Sequence, residues 1–267
     1  MRTLSTLLLL ALFFTACQNA ATDQSSESEA TTEAPAEEAP AEKKYTLTPF
    51  APSTAYQDAE ITSMEYTDGK FAFGIGGEGY ELGTQTPDAA QKMCANSAKG
   101  QHIHLIVNNG PYAAKYVPEF EHDLPDGEHH LLAFLSRSYH ESIKSPTAFV
   151  AQQIAVENKA ITLAEDITTP MLFYSRPKGT YVGADTEKVM LDFYLVNAKL
   201  GDNYMVKAEI NGEEHMLDTW QPYYVEGMPM GENTIKLTLL DKEGNAADVP
   251  LNPVERTFTL KEDPAAQ

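Results

Sequence analysis

The fold is decided by the stretch Ile103-His104-Leu105-Ile106-Val107-Asn108-Asn109-Gly110, an apolar run that ends in an Asn-Gly pair. Successive side chains of a strand point to opposite faces, and Asn-Gly accepts the positive φ angles of a tight hairpin turn. The stretch therefore predicts a β-strand followed by a hairpin turn. The same pattern returns as Val206-Lys207-Ala208-Glu209-Ile210-Asn211-Gly212.

A second landmark repeats in the same order. Leu124-Pro125-Asp126-Gly127-Glu128 is matched by Met228-Pro229-Met230-Gly231-Glu232, and each precedes an apolar strand pattern. The Asn-Gly pair recurs after 102 residues and the Pro-x-Gly-Glu pattern after 104. Two landmarks at nearly equal offsets predict two tandem copies of one module.

Strand patterns surround these landmarks in both copies, at residues 70–75, 130–135 and 148–156 and again at residues 189–195, 234–240 and 256–260. Many short strands separated by Gly, Pro and Asn turns are typical of an immunoglobulin-like sandwich. The sequence therefore predicts an all-β protein with two tandem immunoglobulin-like β-sandwich domains, at residues 45–157 and 158–262, and a tail at residues 263–267. One short helix is expected within residues 86–98.

The N-terminus has the organisation of a signal peptide. A basic start is followed by an apolar run at residues 7–14 and by Phe14-Thr15-Ala16-Cys17, which resembles the lipobox of bacterial lipoproteins. Residues 1–16 are predicted to be removed, and Cys17 is predicted to carry the lipid that anchors the protein to a membrane. The alternative is an ordinary signal peptide with an incidental cysteine.

Residues 17–44 are predicted to form a disordered acidic linker. They contain Ala, Ser, Thr, Glu and Pro, and residues 18–44 lack aromatic residues. Such a composition buries too little apolar surface to offset its ordering entropy. An acidic stretch soon after the lipid cysteine also resembles surface-export signals of the Bacteroidota. Localisation is therefore predicted at the bacterial outer membrane or cell surface, with a periplasm-facing orientation left open.

The charge balance limits the partners. The chain has a formal net charge of −20, which repels nucleic acid, so no nucleic-acid partner is expected. A protein or small ligand remains possible. If lipid occupies Cys17, Cys94 is the one remaining thiol of the sequence.

Four segments show a resemblance to a set of uncharacterised lipoproteins of the Bacteroidota: residues 93–105, 132–144, 173–179 and 229–234. The likeness covers nearly all of the folded part. Proteins of this set often carry the label "phosphopeptide-binding protein". The resemblance implies a lipoprotein with paired modules, and it adds little about the ligand.

Two histidines on the first landmark strand suggest a metal site. His102 and His104 lie two residues apart, hence on one face, and imidazole is a common ligand of copper and zinc. His129 and Cys94 are the candidates for completing a Cu or Zn site. The alternative is that these histidines simply form hydrogen bonds with their neighbours.

Basic residues suggest an anion site. Arg137, His140 and Lys144 lie in the segment that follows one predicted strand. Arg176 and Lys178 form a second basic group. Such groups bind phosphate or carboxylate through charge-assisted hydrogen bonds, although they are also ordinary turn residues and salt-bridge partners.

No catalytic motif is found, so the sequence predicts a non-enzymatic, lipid-anchored binding or accessory module of the cell envelope, with a peptide or phosphopeptide as the possible ligand. The alternative is a periplasmic or surface metal-binding protein that uses the His102/His104 region, and no other cofactor is expected.

Overall fold

The computed structural model describes residues 43–266, so the predictions for the signal peptide, Cys17 and nearly all of the linker lie outside the described residues. The first strand, β1 (Thr46–Pro49), follows directly on the end of the predicted linker. Sixteen further strands follow, together with three short 3-10 helices at Ala89–Gln91, Gly183–Thr186 and Pro264–Ala266. Within the described residues, no helix is long and apolar enough to cross a membrane.

The first sandwich consists of eight strands: β2 (Glu60–Thr67), β3 (Lys70–Gly76), β4 (His102–Val107), β5 (Ala113–Lys115), β6 (Glu119–Glu121), β7 (Gly127–Ser136), β8 (Phe149–Glu157) and β9 (Ala160–Asp166). One sheet has the order β2-β3-β6, and the other has the order β5-β4-β7-β8-β9. Their facing side chains, including Phe71, Leu105 and Leu131, form a continuous apolar core.

The second sandwich contains β10 (Met171–Arg176), β11 (Gly179–Val182), β12 (Val189–Val196), β13 (Met205–Ile210), β14 (Glu213–Leu217), β15 (Tyr223–Glu226), β16 (Gly231–Leu240) and β17 (Val254–Lys261). Its sheets have the orders β1-β15-β12-β10 and β11-β17-β16-β13-β14. The strand order β10-β12-β15 repeats β2-β3-β6, and β14-β13-β16-β17 repeats β5-β4-β7-β8. The prediction of two tandem immunoglobulin-like sandwiches is confirmed.

The repeated Asn landmarks make the same contacts in both copies. The Asn108 N–H donates to the His130 carbonyl at 2.8 Å, and its Oδ1 accepts from the His130 N–H at 2.9 Å. Asn211 forms the same two bonds with Thr234, at 2.9 and 2.8 Å. Both asparagines have positive φ angles, 50° and 47°. The structural equivalent of Asn211 is therefore Asn108 rather than Asn109.

The boundaries of the sandwiches differ from those predicted. Strand β1 lies within the predicted first domain but pairs with β15 of the second sandwich. Strand β9 lies within the predicted second domain but forms a hairpin with β8 of the first sandwich. The chain therefore passes from one sandwich to the other between Asp166 and Met171, rather than after Glu157.

The helix expected within residues 86–98 is reduced to the single 3-10 turn at Ala89–Gln91. The flanking backbone is bonded to a distant segment: the Ser138 hydroxyl accepts from the Thr86 N–H at 3.2 Å, and the Ser138 carbonyl accepts from the Ser97 N–H at 2.8 Å. These long-range bonds replace the local bonds that a helix requires.

The two sandwiches meet across an apolar layer. The outward face of β4 and β7 packs against the outward face of β10 and β12 through the side chains of Ile106, Leu132, Phe134, Met171, Phe173, Tyr194 and Val196. Asn109 crosses the same junction, because its Nδ2 donates to the Leu172 carbonyl at 2.8 Å and its Oδ1 accepts from the Tyr174 N–H at 2.9 Å. The even-numbered face of β4, which contains His102 and His104, is consequently covered by the second sandwich.

A buried ion pair also crosses the junction and leads to a stability prediction. The Asp192 carboxylate accepts from Lys144 Nζ at 2.7 Å and from the Ser142 N–H at 3.0 Å. Asp192→Ala leaves the Lys144 ammonium without its partner, so we expect the free energy of unfolding in urea to fall by about 3 kcal/mol. Asp123→Ala is the control, because its pair with Lys159 is exposed and should contribute less than about 1 kcal/mol. Equal losses in the two variants would contradict this account of the junction.

Candidate metal site at the junction of the sandwiches

Strand β4 supplies two imidazoles to one buried point. His102 and His104 alternate with Ile103 and Leu105, whose side chains fill the core of the first sandwich. Both histidines have 0% exposure, and their ring centroids are 4.8 Å apart. The alternation of the strand therefore places two imidazoles side by side in the junction.

A third imidazole comes from the turn that follows β7. In the antiparallel pairing of β4 with β7, His102 lies opposite Ser136, so the turn at residues 137–141 begins beside His102. His140 has a φ of 70° in this turn, and its N–H donates to the Arg137 carbonyl at 2.8 Å. A positive φ in a residue other than glycine is strained, and strain of this kind is often found at functional sites. It directs the His140 ring towards the two histidines of β4.

The three rings converge through one nitrogen each. His102 Nε2 lies 2.8 Å from His104 Nε2 and 3.0 Å from His140 Nδ1, and the third distance, between His140 Nδ1 and His104 Nε2, is 3.5 Å. Ligands about 2.0–2.1 Å from a tetrahedral zinc ion are separated by about 3.3 Å from one another. The three nitrogens thus form a triangle of the size of one face of a metal coordination tetrahedron, which leaves a fourth position open.

The opposite nitrogens of the two strand histidines are held by hydrogen bonds. His102 Nδ1 lies 2.8 Å from the Gly100 carbonyl, which only accepts, so this nitrogen bears the proton and Nε2 bears the free lone pair. His104 Nδ1 lies 3.2 Å from the Ser175 hydroxyl on β10 of the second sandwich. Partners of this kind orient histidines that ligate metals.

The surroundings keep these histidines uncharged. Burial is the largest cause in each case: it lowers the pKa of His102 to about 4, and it holds the pKa values of His104 and His140 well below the usual range. The positive charges of Arg176 and Lys178 lower all three values further. Neutral imidazoles are the form that binds metal.

Aromatic rings form the wall of the site. The Tyr112 ring stacks on His104 with 3.7 Å between centroids and 6° between planes, and its hydroxyl lies 3.3 Å from His140 Nδ1. Tyr116 packs on His102 at 4.9 Å, and Phe134 packs on His104 at the same distance. His102 and His104 are fully buried, whereas His140 is partly exposed.

Two of the four residues predicted as metal ligands do not join the cluster. His129 lies near the start of β7, opposite the end of β4 that is remote from His102, and it contacts Asn108 and the Pro125 carbonyl. Cys94 Sγ lies 4.0 Å from the Tyr139 carbonyl and packs near Phe50, and burial raises the pKa of its thiol to about 11. The structure therefore brings His140, instead of His129 and Cys94, together with His102 and His104.

The predicted anion-binding residues are divided between two environments. Arg137 is buried against Glu141 at 3.5 Å, and Lys144 is paired with Asp192, so both charges are neutralised within the protein. His140 instead belongs to the histidine cluster, and Lys178 lies beside it: Lys178 Nζ donates to the Tyr112 carbonyl at 2.8 Å and lies 3.9 Å from the centre of the Tyr112 ring. Arg176 lies two residues before Lys178, at the end of β10. The five residues do not form one site.

The sequence predicts His140 as an anion-binding residue and not as a member of the histidine cluster, because its position depends on strand pairing. His140 is 36 residues beyond His104 in the sequence and lies in a turn. The sequence did contain one indication of its position. If β4 and β7 pair antiparallel, the end of β7 lies beside the start of β4. This pairing places His140, just after β7, near His102, and it places His129, near the start of β7, far from His102.

The fold and the site together define an all-β protein with two immunoglobulin-like sandwiches and a buried three-histidine cluster at their junction. No protein-family model matches the sequence, and no curated protein sequence matches it significantly. Solved structures with fibronectin(III)-like and V-type domains are similar to it in fold.

Three solved structures illustrate the likeness. The fibronectin(III)-like modules of Clostridium thermocellum CbhA share 16% identity, with 35% of this chain and 99% of theirs covered and a TM-score of 0.28. The two tandem V-type regions of VCBP3, a v-region-containing chitin binding protein, share 8%, covering 81% and 99%, with a TM-score of 0.22. Bacteroides ovatus SGBP-B, solved with a mixed-linkage heptasaccharide, shares 9%, covering 83% and 71%, with a TM-score of 0.20.

Proposed function

We propose that this protein is a non-enzymatic metal-binding protein of the bacterial cell envelope that holds one copper or zinc ion on His102, His104 and His140. The convergence of three imidazole nitrogens within 3.5 Å of one another is the observation that carries the proposal. Nitrogen donors of this type suit copper and zinc, whereas calcium and magnesium prefer oxygen. The predicted lipid at Cys17 would keep the site in the envelope.

A metal ion needs only a change of tautomer at this site. Without metal, the single lone pair of His102 Nε2 accepts one hydrogen bond, from His104 Nε2–H at 2.8 Å or from His140 Nδ1–H at 3.0 Å. With metal, a proton on His104 Nε2 or His140 Nδ1 moves to the other nitrogen of the same ring, and for His104 that nitrogen is Nδ1, which lies 3.2 Å from the Ser175 hydroxyl. The partner that this tautomer requires is therefore already in place.

Metal binding has more structural support than phosphopeptide binding. Two of the five predicted anion-binding residues, Arg137 and Lys144, already have carboxylate partners at 3.5 and 2.7 Å. A phosphopeptide would have to displace these partners, whereas a metal ion on the three histidines would break no ion pair. The function that was the alternative at the level of sequence is thus the one that the geometry favours.

Metal analysis tests the proposal. We expect untagged protein dialysed against micromolar Zn(II) or Cu(II) to retain one equivalent of metal, measured by native mass spectrometry and elemental analysis. The double variant His102→Ala/His104→Ala should retain none while keeping the far-ultraviolet circular dichroism of a β protein. Wild-type protein that emerges without metal would show that the three histidines only bond to one another.

The second sandwich should tune the affinity through Ser175. Removing a hydrogen-bond partner of a ligating histidine costs about 10–100-fold in metal affinity. We therefore expect Ser175→Ala to weaken zinc binding by about that factor in calorimetric titrations. Ser145→Ala is the control, because this buried hydroxyl bonds the Ala59 carbonyl and makes no contact with the histidines. Equal zinc affinities in the two variants would exclude a role for Ser175.

A further inference from the structure

Arg176 is a buried cation without a counter-charge. Its side chain ends β10 with 4% exposure, and its Nη2 donates to the Tyr181 hydroxyl at 2.9 Å. Its Nε and Nη1 groups have no hydrogen-bond partner. Among the described residues 43–266, no carboxylate lies within 4.0 Å of the guanidinium.

The other fully buried arginine is neutralised. Arg137 lies 3.5 Å from the Glu141 carboxylate, and its Nη2 also donates to the carbonyls of Ser53 and Ala55. Burying a charge is costly unless the charge is paired and hydrogen-bonded. Arg137 leaves only its Nε without a partner, whereas Arg176 leaves both Nε and Nη1 without partners and has no carboxylate beside its charge.

Arg176 lies near the histidine cluster. Ser175, its neighbour in β10, contacts His104, and Lys178, two residues further on, contacts Tyr112, whose ring stacks on His104. The Arg176 charge is also the largest electrostatic influence on the pKa of His140, after burial. In the pairing of β10 with β12, Arg176 lies opposite Asp192, whose carboxylate accepts from the Ser142 N–H of the first sandwich, so this end of β10 is at the junction.

The charges of the loaded site do not balance. Three neutral imidazoles leave the charge of a divalent ion unchanged, and Arg176 and Lys178 add two further positive charges nearby. The histidine cluster includes no carboxylate. An excess of positive charge in a buried region requires an anion from solution.

Resting on the proposed metal site, we propose that a small anion, a carboxylate or an oxyanion, occupies the fourth coordination position of the metal and is held there by the unpartnered N–H groups of Arg176. The burial of Arg176 selects for a small ion. Lys178 contributes charge from the same side, and the partly exposed His140 gives the anion its way in.

Anion titration of copper-loaded protein tests this assignment. Sodium azide and sodium formate are added to the Cu(II) protein, and binding is followed by visible absorption and electron paramagnetic resonance. We expect saturable changes in the wild-type spectra and an affinity for azide at least about tenfold lower in Arg176→Met, because a charge-assisted hydrogen bond is lost. Arg176→Lys should recover part of that affinity. Copper itself should bind at least as tightly to Arg176→Met, since a positive charge is removed.

The outcomes separate this inference from the metal proposal. Wild-type protein that retains neither copper nor zinc would overturn both. Bound copper whose spectrum azide and formate leave unchanged, or equal azide affinities in wild type and Arg176→Met, would overturn the anion site alone.

Thermal unfolding of the metal-free variants gives a second readout. Removing an unpaired buried charge should leave the melting temperature unchanged or raise it, whereas Arg137→Met should lower it, because Glu141 then loses its partner. A melting temperature lowered as much in Arg176→Met as in Arg137→Met would assign Arg176 a structural role and overturn the proposal.

Discussion

Replacing His140 by glycine is expected to weaken zinc or copper binding by more than 100-fold while leaving the metal-free protein folded. The substitution removes one of three converging donors, and loss of a ligand costs more than the 10–100-fold typical of its outer partners. It also places glycine at a φ of 70°, where a side chain is strained by about 1–2 kcal/mol. Calorimetric titration and urea unfolding measure the two effects separately.

Two further variants make this result specific. His140→Ala should lose metal equally but should be less stable than His140→Gly, because alanine keeps the strain without the ligand. His129→Ala should keep full metal affinity, since His129 contacts Asn108 and Pro125 instead of the cluster. Metal affinity that falls as far in His129→Ala as in His140→Gly would contradict the proposed ligand set.

Local pattern was sufficient to predict eight of the seventeen strands in residues 43–266: β3, β4, β7, β8, β12, β13, β16 and β17. The alternating patterns at residues 103–107 and 206–210 correspond to β4 and β13. The turn asparagines that follow them, Asn108 and Asn211, form the same hydrogen bonds in the two copies. Because a hairpin depends on neighbouring residues, its signal lies within a few positions of the sequence. The repeat could be found for the same reason.

The pairings that local pattern missed depend on distant residues. Strand β1 lies beside β15, with Leu47 opposite Val225, and no feature of residues 46–49 specifies a partner so far along the chain. The parallel pairing of β11 with β17 is a similar case, with Gly179 opposite Phe258. Domain boundaries drawn from sequence order alone therefore assigned β1 and β9 to the wrong sandwiches.

The sequence predicts two of the three histidines of the site, again because only local pattern is visible in it. His102 and His104 share a face because of strand alternation, which the sequence displays directly. The third ligand and the covering Ser175 are positioned by strand register and by packing of the two sandwiches. The sequence predicts His129 as a ligand because it lies on the next strand. However, β7 extends for 10 residues, and only its C-terminal end lies beside His102.

Mild acid should destabilise the metal-free protein sharply because of this cluster. Histidine in an unfolded chain has a pKa near 6.5, whereas burial, with the Arg176 and Lys178 charges, lowers the pKa of His102 to about 4 and those of His104 and His140 well below 6.5. The unfolded state therefore binds more protons below pH 6.5, so stability is present above that pH and is lost as the pH falls. Three histidines give a slope of about 4 kcal/mol per pH unit near pH 5.

Substitution of two of these histidines isolates their contribution to the pH dependence. In His102→Gln/His104→Gln, two of the three titrating groups are gone, so the slope due to the cluster should fall by about two-thirds. His122 and His215 also have lowered pKa values, but they remain in both proteins and cancel in the difference. Burial raises the pKa of Glu141, which adds stability as the pH falls, and this opposing effect cancels as well. Urea unfolding midpoints from pH 7.5 to 5, measured with a chelator, provide the comparison. Parallel profiles for wild type and the double variant would mean that these histidines are charged in the folded protein, which is incompatible with a preformed metal site.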